Sequence, residues 1–182
     1  MTTIRDYIPD DAPSVGKLIA ETYSQFNLSF VPPSELGLFL GPFRHAGSAE
    51  PVHQAAIARV IQSAVVLVAE DDGEVVGVLR GRKERLGSLF VSGSHHRQGI
   101  GRRLVERFEQ ESRRQGVGVI RLAATLYAVP FYTAVGYKRS TGVRNGWSFE
   151  GRGLPIQPMR KMLGSESYSP IALRCSNRAA AD

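Results

Sequence analysis

The spacing of apolar residues changes several times along the chain, and each change marks an element. Over Thr3–Ile8, Ile4, Asp6 and Ile8 fall on one side and Arg5 and Tyr7 on the other, the two-residue period of a strand. Pro9-Asp10-Asp11 breaks that period and offers an N-cap, after which Val15, Leu18, Ile19 and Tyr23 recur at helical spacing. Residues 24–48 keep no period. They hold Pro32-Pro33, Gly37, Gly41-Pro42 and Gly47, yet also Phe26, Leu28, Phe30, Val31, Leu36, Leu38, Phe39, Leu40 and Phe43. A segment this apolar reads as short helical pieces covering something, a substrate cleft being the candidate. Ser48 is placed to cap a helix through about Gln62, with Val52, Ala56, Ile57, Val60 and Ile61 inward.

The second half reads mostly as strands. Ala64–Ala69 is a buried strand, Asp71-Asp72-Gly73 a turn, and Glu74–Arg82 the returning arm of a hairpin. Leu86–Val91 is the next strand. A helix runs from Gly99 to about Gln115 with Ile100, Leu104, Val105, Phe108 and Ser112 as its inner stripe; Gly116 stops it. Val119–Ala123 reads as a strand, Ala128–Val135 as a short helix ended by Gly136, and Tyr137–Thr141 and Ile156–Met162 as the last strands. Gly77 and Gly87 lie inside strands, where glycine marks either a close approach or bulge, or a packing accommodation. This order gives a mixed α/β layout on one central sheet, and its early meander excludes a doubly wound fold. From Gly164 to Asp182 periodicity is lost, so the expectation is one domain over 1–163 and a loosely ordered tail over 164–182.

Composition narrows the function classes. The 182 residues are 42% apolar and 22% charged, ordinary for a globular chain. No apolar run approaches the roughly 18–20 residues that span a bilayer. The N-terminus does not read as a signal peptide, and the lone Cys175 excludes an internal disulfide framework, so a reducing, cytoplasmic setting is expected. Net charge is +6. Its arginines are scattered, without an aromatic-interleaved stripe or a helix-turn-helix or zinc-finger spacing, which favours a phosphate-bearing small molecule over nucleic acid.

The densest cluster of basic residues, His95, His96, Arg97, Arg102 and Arg103, sits on a turn between a strand and a helix. The first N–H groups of a helix lack internal partners, and the helix dipole favours negative charge there. Gly99 and Gly101 carry no Cβ, so a phosphate can approach the main chain. A pyrophosphate held at this turn is therefore expected. His95 and His96 read as cofactor contacts or exposed residues rather than metal ligands, and no metal site is expected; His45 and His53 read as surface or packing residues.

Two motifs, His96-Arg97-Gln98-Gly99-Ile100-Gly101 and Ala128-Val129-Pro130-Phe131-Tyr132-Thr133-Ala134-Val135-Gly136-Tyr137, resemble the [Arg/Gln]-x-x-Gly-x-[Gly/Ala] turn and the A-x-x-F-Y-x-x-x-G-[F/Y] helix of the GNAT superfamily of acyl-CoA-dependent N-acyltransferases. The resemblance covers roughly residues 2–163. It implies a central mixed sheet of about six or seven strands, in which Leu86–Val91 and Val119–Ala123 are parallel and splay apart around acetyl-CoA. It implies that backbone groups of Leu89, Phe90 and Val91 pair with the pantetheine arm. Backbone N–H groups across Arg97, Gln98, Gly99, Ile100, Gly101, Arg102 and Arg103 would hold the pyrophosphate. The chain departs from the family at two points: His96 stands at the turn's first position, and Thr125, a candidate cofactor-binding residue through its hydroxyl, stands where the family often has Asn.

The reaction implied is attack by a primary amine of a small molecule, peptide or protein on the thioester. It needs a neutral amine, donors for the oxyanion and stabilisation of the leaving thiolate. Tyr132 is the candidate for the last role; its phenol, with a reference pKa of about 10 against a thiol's roughly 8.5, makes the transfer feasible but weakly driven. A core aromatic with a satisfied hydroxyl is the other reading of Tyr132. The N–H of Val91 or a neighbour is the candidate oxyanion donor. The strand before the turn has neither Glu nor His; Glu84 lies just before it and Glu70 and Glu150 elsewhere, an ordered water chain is the alternative route, and no general base is assigned. Trp147 and Phe149 read as acceptor-side or core residues. The competing function is an acyl-CoA-binding module with little or no catalysis. A homodimer through the last strands stays open.

Overall fold

The structure, a computed structural model, describes residues 1–164, and at Trp147 and Ser148 the backbone alone. The strand segments form β1 (Thr3–Asp6), β2 (Val65–Asp71), β3 (Glu74–Arg82), β4 (Arg85–Val91), β5 (Val119–Thr125), β6 (Lys138–Arg139), β7 (Arg144–Ser148) and β8 (Gly151–Met162). They make one eight-stranded sheet ordered β1-β2-β3-β4-β5-β8-β6, with β7 also paired to β8. Every pairing is antiparallel except β4 with β5. The helices are α1 (Ala12–Thr22), α2 (Leu36–Leu40), α3 (Pro51–Ile61), α4 (Ile100–Arg114) and α5 (Val129–Ala134).

Two cores lie on opposite faces of the sheet. On one, Ile100, Leu104, Val105 and Phe108 of α4 pack with Leu79, Leu86, Ile120 and Leu122. The buried Glu109 of α4 holds Lys161 of β8 at 2.8 Å on this face. On the other, Val15, Leu18 and Ile19 of α1 and Ile57 and Ile61 of α3 cover Val68, Val78 and Phe90. Leu28, Val31, Leu40 and Phe43 are buried there too, so the aperiodic segment is a packed cover built of short helical pieces. α1 continues into a π-helical turn, Tyr23–Asn27.

Several expectations change. The strand expected over Thr3–Ile8 ends at Asp6. Asp11 occupies the N-cap position of α1 without capping it; its carboxylate accepts the Ile8 N–H at 2.8 Å and both Arg5 guanidinium arms at 2.8 Å. α3 begins after Glu50 with Pro51 in its first turn; Ser48 accepts the Glu50 N–H at 3.2 Å instead, and Val52 is 68% exposed rather than inward. The expected strand Tyr137–Thr141 shrinks to Lys138–Arg139, and the last strand starts at Gly151 because β7 pairs with its first half. That hairpin raises the strand count to eight. Gly87 is the bulge: Leu86 opposes Gly81 and Ser88 opposes Arg80, leaving Gly87 between them. A Cβ on Gly77 would lie 3.2 Å from Ala69 and Leu104, so that glycine accommodates packing. The tail expected over 164–182 falls outside the described residues from 165 onward, Cys175 with it.

Candidate active site

One rung joins the parallel strands. Arg85 faces Arg121, and the Arg121 N–H donates to the Glu84 carbonyl at 2.7 Å; no further pair follows along either strand. β4 and β5 therefore diverge towards Val91 and Thr125 around a cleft of about 430 Å³. Leu86–Phe90 and Leu122–Thr125 form its sides, and Tyr23, Asn27, Tyr132, Arg144, Phe149 and Ile156 line the rest.

The ladder decides which β4 groups face this cleft. The Ser92 N–H donates to the Val76 carbonyl at 2.8 Å, and in an antiparallel ladder alternate residues turn their main-chain groups to the same partner. Phe90 is thereby committed to Val78, while Leu89 and Val91 turn their amides to the cleft. The ring of Phe90 lines the cleft and meets Tyr23 edge-on at 5.8 Å. The Val91 carbonyl is engaged by His96 Nε2 at 2.8 Å. A carbonyl only accepts, so that ring nitrogen carries the proton and the Val91 N–H is left facing the cleft.

Beyond Val91 the chain bends through Gly93–His95, and Arg97 and Gly99 take positive φ of 62° and 80°. α4 then starts. Its first internal bond runs from the Arg103 N–H to the Gly99 carbonyl at 3.0 Å, so the main-chain N–H groups from Arg97 to Arg102 find no acceptor among the described residues. Space is open around Gly99, where the left-handed backbone suits glycine. Gly101 also meets a packing demand that the sequence did not show. A Cβ there would lie 3.2 Å from the ring of Phe131, so this glycine lets α4 approach α5.

The side chains of the turn are held by local contacts. Gln98 donates to the Ser94 carbonyl at 3.1 Å, Arg102 to the Ala134 carbonyl at 3.3 Å and Arg103 to the Thr2 carbonyl at 2.9 Å. His95 bonds Ser94 at 2.9 Å and lies 3.7 Å from Asp71. Among the described residues no cluster of three His, Cys, Asp or Glu side chains is placed to hold a metal.

Tyr132 reaches the cleft from the α4 and α5 side. It is 6% exposed and packs against Phe131 and Tyr137 at 5.1 and 5.7 Å; this burial raises its phenol above the ordinary tyrosine value and keeps it protonated. Thr125 ends β5 and accepts a hydrogen bond from the Asn27 side-chain amide at 2.6 Å. Asn27-Leu28-Ser29 spells a glycosylation sequon, which reads as chance, and Asn27 was not among the expected site residues. Its only signal is the π-helical turn, a distortion that tends to occur at functional sites. The lining contains no carboxylate, imidazole or amine among the described residues.

An open anion turn beside a parallel pair joined at one end is a specific arrangement, and the sequence carries a matching signature: a family model for the acetyltransferase (GNAT) domain matches residues 41–163. The chain belongs to the GNAT acetyltransferase family. Solved structures share the fold of this GNAT domain. A GCN5-related N-acetyltransferase from Rhodopseudomonas palustris aligns over 90% of this chain and 96% of its own, with 20% identity and a TM-score of 0.71. PaiA N-acetyltransferase from Thermoplasma acidophilum, in complex with coenzyme A, aligns over 90% and 99%, with 17% identity and a TM-score of 0.65. YncA from Salmonella typhimurium, with its cofactor acetyl-CoA, aligns over 94% and 99%, with 21% identity and a TM-score of 0.57. Among curated proteins, none matches the chain. No helix among the described residues is long and apolar enough to cross a membrane.

Proposed function

We propose that this GNAT domain, over residues 1–163, transfers the acetyl group of acetyl-CoA to a primary amine of a small molecule, peptide or protein by direct attack in a ternary complex. The row of N–H groups from Arg97 to Arg102, without acceptors among the described residues and following directly on a strand that bounds the cleft, carries the reading. Such amides suit a pyrophosphate. The amides of Leu89 and Val91 face where a pantetheine arm would lie as an added strand. The coenzyme A and acetyl-CoA held by the Thermoplasma and Salmonella proteins support the same ligand here.

The oxyanion and the leaving sulfur each have a group at the cleft. The Val91 N–H faces the cleft and suits the carbonyl oxygen as it gains charge. Tyr132 stands protonated at the cleft wall. Because burial makes its anion costly, it serves by donating a hydrogen bond to the leaving sulfur rather than by giving the proton up outright. The amine enters from the opposite face, where Asn27, Thr125 and Phe149 meet. With no carboxylate, imidazole or amine among the described lining residues, its proton leaves through water. As nitrogen bonds to the acetyl carbon, the carbon–sulfur bond breaks and coenzyme A leaves as a thiolate hydrogen-bonded by Tyr132; the thiolate then takes from water a proton that balances the one the amine gave up.

Calorimetry with acetyl-CoA on folded protein, followed by thiol release across a panel of amines, tests this. Saturable heat and amine-dependent thiol release are expected. Absence of both heat and thermal shift would remove the proposal; binding without release on any amine would leave a carrier of acyl-CoA.

A further inference from the structure

Five neighbouring strands carry a cation at one level of the sheet. Arg82 opposes Arg85 across β3 and β4, Arg85 opposes Arg121 across the single parallel rung, Arg121 opposes Arg160 across β5 and β8, and Arg160 opposes Lys138 across β8 and β6. Directly opposed residues project from the same face. On β5 the neighbours Ile120 and Leu122 are buried under α4, so the row stands on the other face, the one that carries α1 and α3 higher up. At about 4.8 Å per strand, the row is about 19 Å long.

All five are exposed, and among the described residues none has a carboxylate within 4.0 Å. The contrast with Arg5, Arg59, Arg113, Arg114 and Arg152, each beside an acidic partner, is sharp. Like charges set directly opposite one another destabilise a ladder. Folding gains nothing from four such pairings in line, whereas a polyanion would neutralise them together.

The position of the row points to the occupant. Arg85 also lines the cleft, so the row leads out from the vertex of the diverging strands on the acceptor's side. On β5 and β8 the flanking positions of the same face are Val119, Ala123, Pro158 and Met162, which provide no aromatic ring on which a nucleobase could stack. Arginine forks match carboxylates in bidentate fashion. From Arg121 to Thr125, at the open end of the cleft, β5 advances four residues, about 13 Å.

We infer that this row docks an acidic polypeptide acceptor whose carboxylates begin about four residues from the amine that enters the cleft. The inference rests on the acetyltransferase reading for the fate of the amine, and on the row alone for binding.

Fluorescence anisotropy at low salt tests it, with acetyl-CoA calorimetry in parallel. The probe is a labelled lysine peptide with four glutamates spread over the fourth to eighth residues after the lysine. Its analogue has glutamine at those positions. At least tenfold tighter binding of the acidic peptide is expected, and Arg121→Gln with Arg160→Gln should remove at least tenfold of it. The control pair Lys17→Gln with Arg107→Gln makes the same change in net charge and should cost less than twofold. The row variant should melt no lower than the parent, since it removes opposed like charges, so lost binding will not be lost fold. Equal binding of the two peptides overturns the inference, as does an equal loss in the control. Tighter, arginine-dependent capture of a twelve-nucleotide oligothymidylate would also overturn it, in favour of nucleic acid. If acetyl-CoA gives its heat while the peptides do not discriminate, only the row reading falls. If acetyl-CoA gives none, the enzymatic reading falls whatever the peptides do.

Discussion

Tyr132 owes its proposed role to a short helix that buries the ring and leaves it at the wall of the cleft. Tyr132→Phe keeps the ring packing and removes only the hydroxyl. Turnover is expected to fall at least tenfold while acetyl-CoA affinity stays within about twofold, measured by thiol release and calorimetry; equal turnover would take the hydroxyl out of the reaction. This residue was legible because its neighbours Ala128, Phe131 and Gly136 stand at a recognisable spacing. Asn27 was not. It reaches Thr125 across ninety-eight positions of sequence, from a π-helical turn whose extra residue shifts every helical spacing read ahead of it. Gly101 was legible as a necessary glycine, but its reason was not, since the ring that crowds it arrives from Phe131 on another helix.

At the scale of elements, the junction of β1 and α1 shows how a local signal is redirected by a partner from the strand. Asp11 stands at a helix start, yet Arg5 takes both of its oxygens and holds its carboxyl below the ordinary range. A carboxylate with a lowered folded pKa adds stability above its unfolded value and loses it as pH falls through the folded one. Asp11→Asn should therefore cost about 2 kcal/mol near neutral pH. The gap to the parent should close as pH drops below about 4, seen in denaturant midpoints over a pH series. A gap that persists unchanged in acid would mean that the charge is not what matters. The long strands β2 to β5 and helix α4 were plain in the sequence because each is an apolar run or stripe bounded by turn residues. The β7 and β8 hairpin was hidden by Gly146, Gly151, Gly153 and Pro155, residues that elsewhere interrupt a strand.

Across the whole molecule, the proposed chemistry is divided between the two faces of the sheet: the turn proposed to hold the pyrophosphate and Tyr132 belong to the side of α4 and α5, and the proposed approach of the amine to the side of α1. With no carboxylate, imidazole or amine among the described lining residues to take its proton, the acceptor of the proposed reaction arrives already neutral. The apparent rate constant kcat/KM should thus rise with pH up to the pKa of the acceptor amine itself and level off there. Replacing the acceptor with a less basic amine should move the bend to lower pH by the difference in their pKa values; a bend fixed near neutrality for every acceptor would reveal a base on the protein. The single rung between Arg85 and Arg121 has a mechanical consequence as well. The sheet is two leaves bound along a spine of one stitch, and the helices on its faces keep the book from opening. A guest bearing amides of its own, slipped between the pages, would sew them together, so its arrival is part of the architecture as much as of the chemistry.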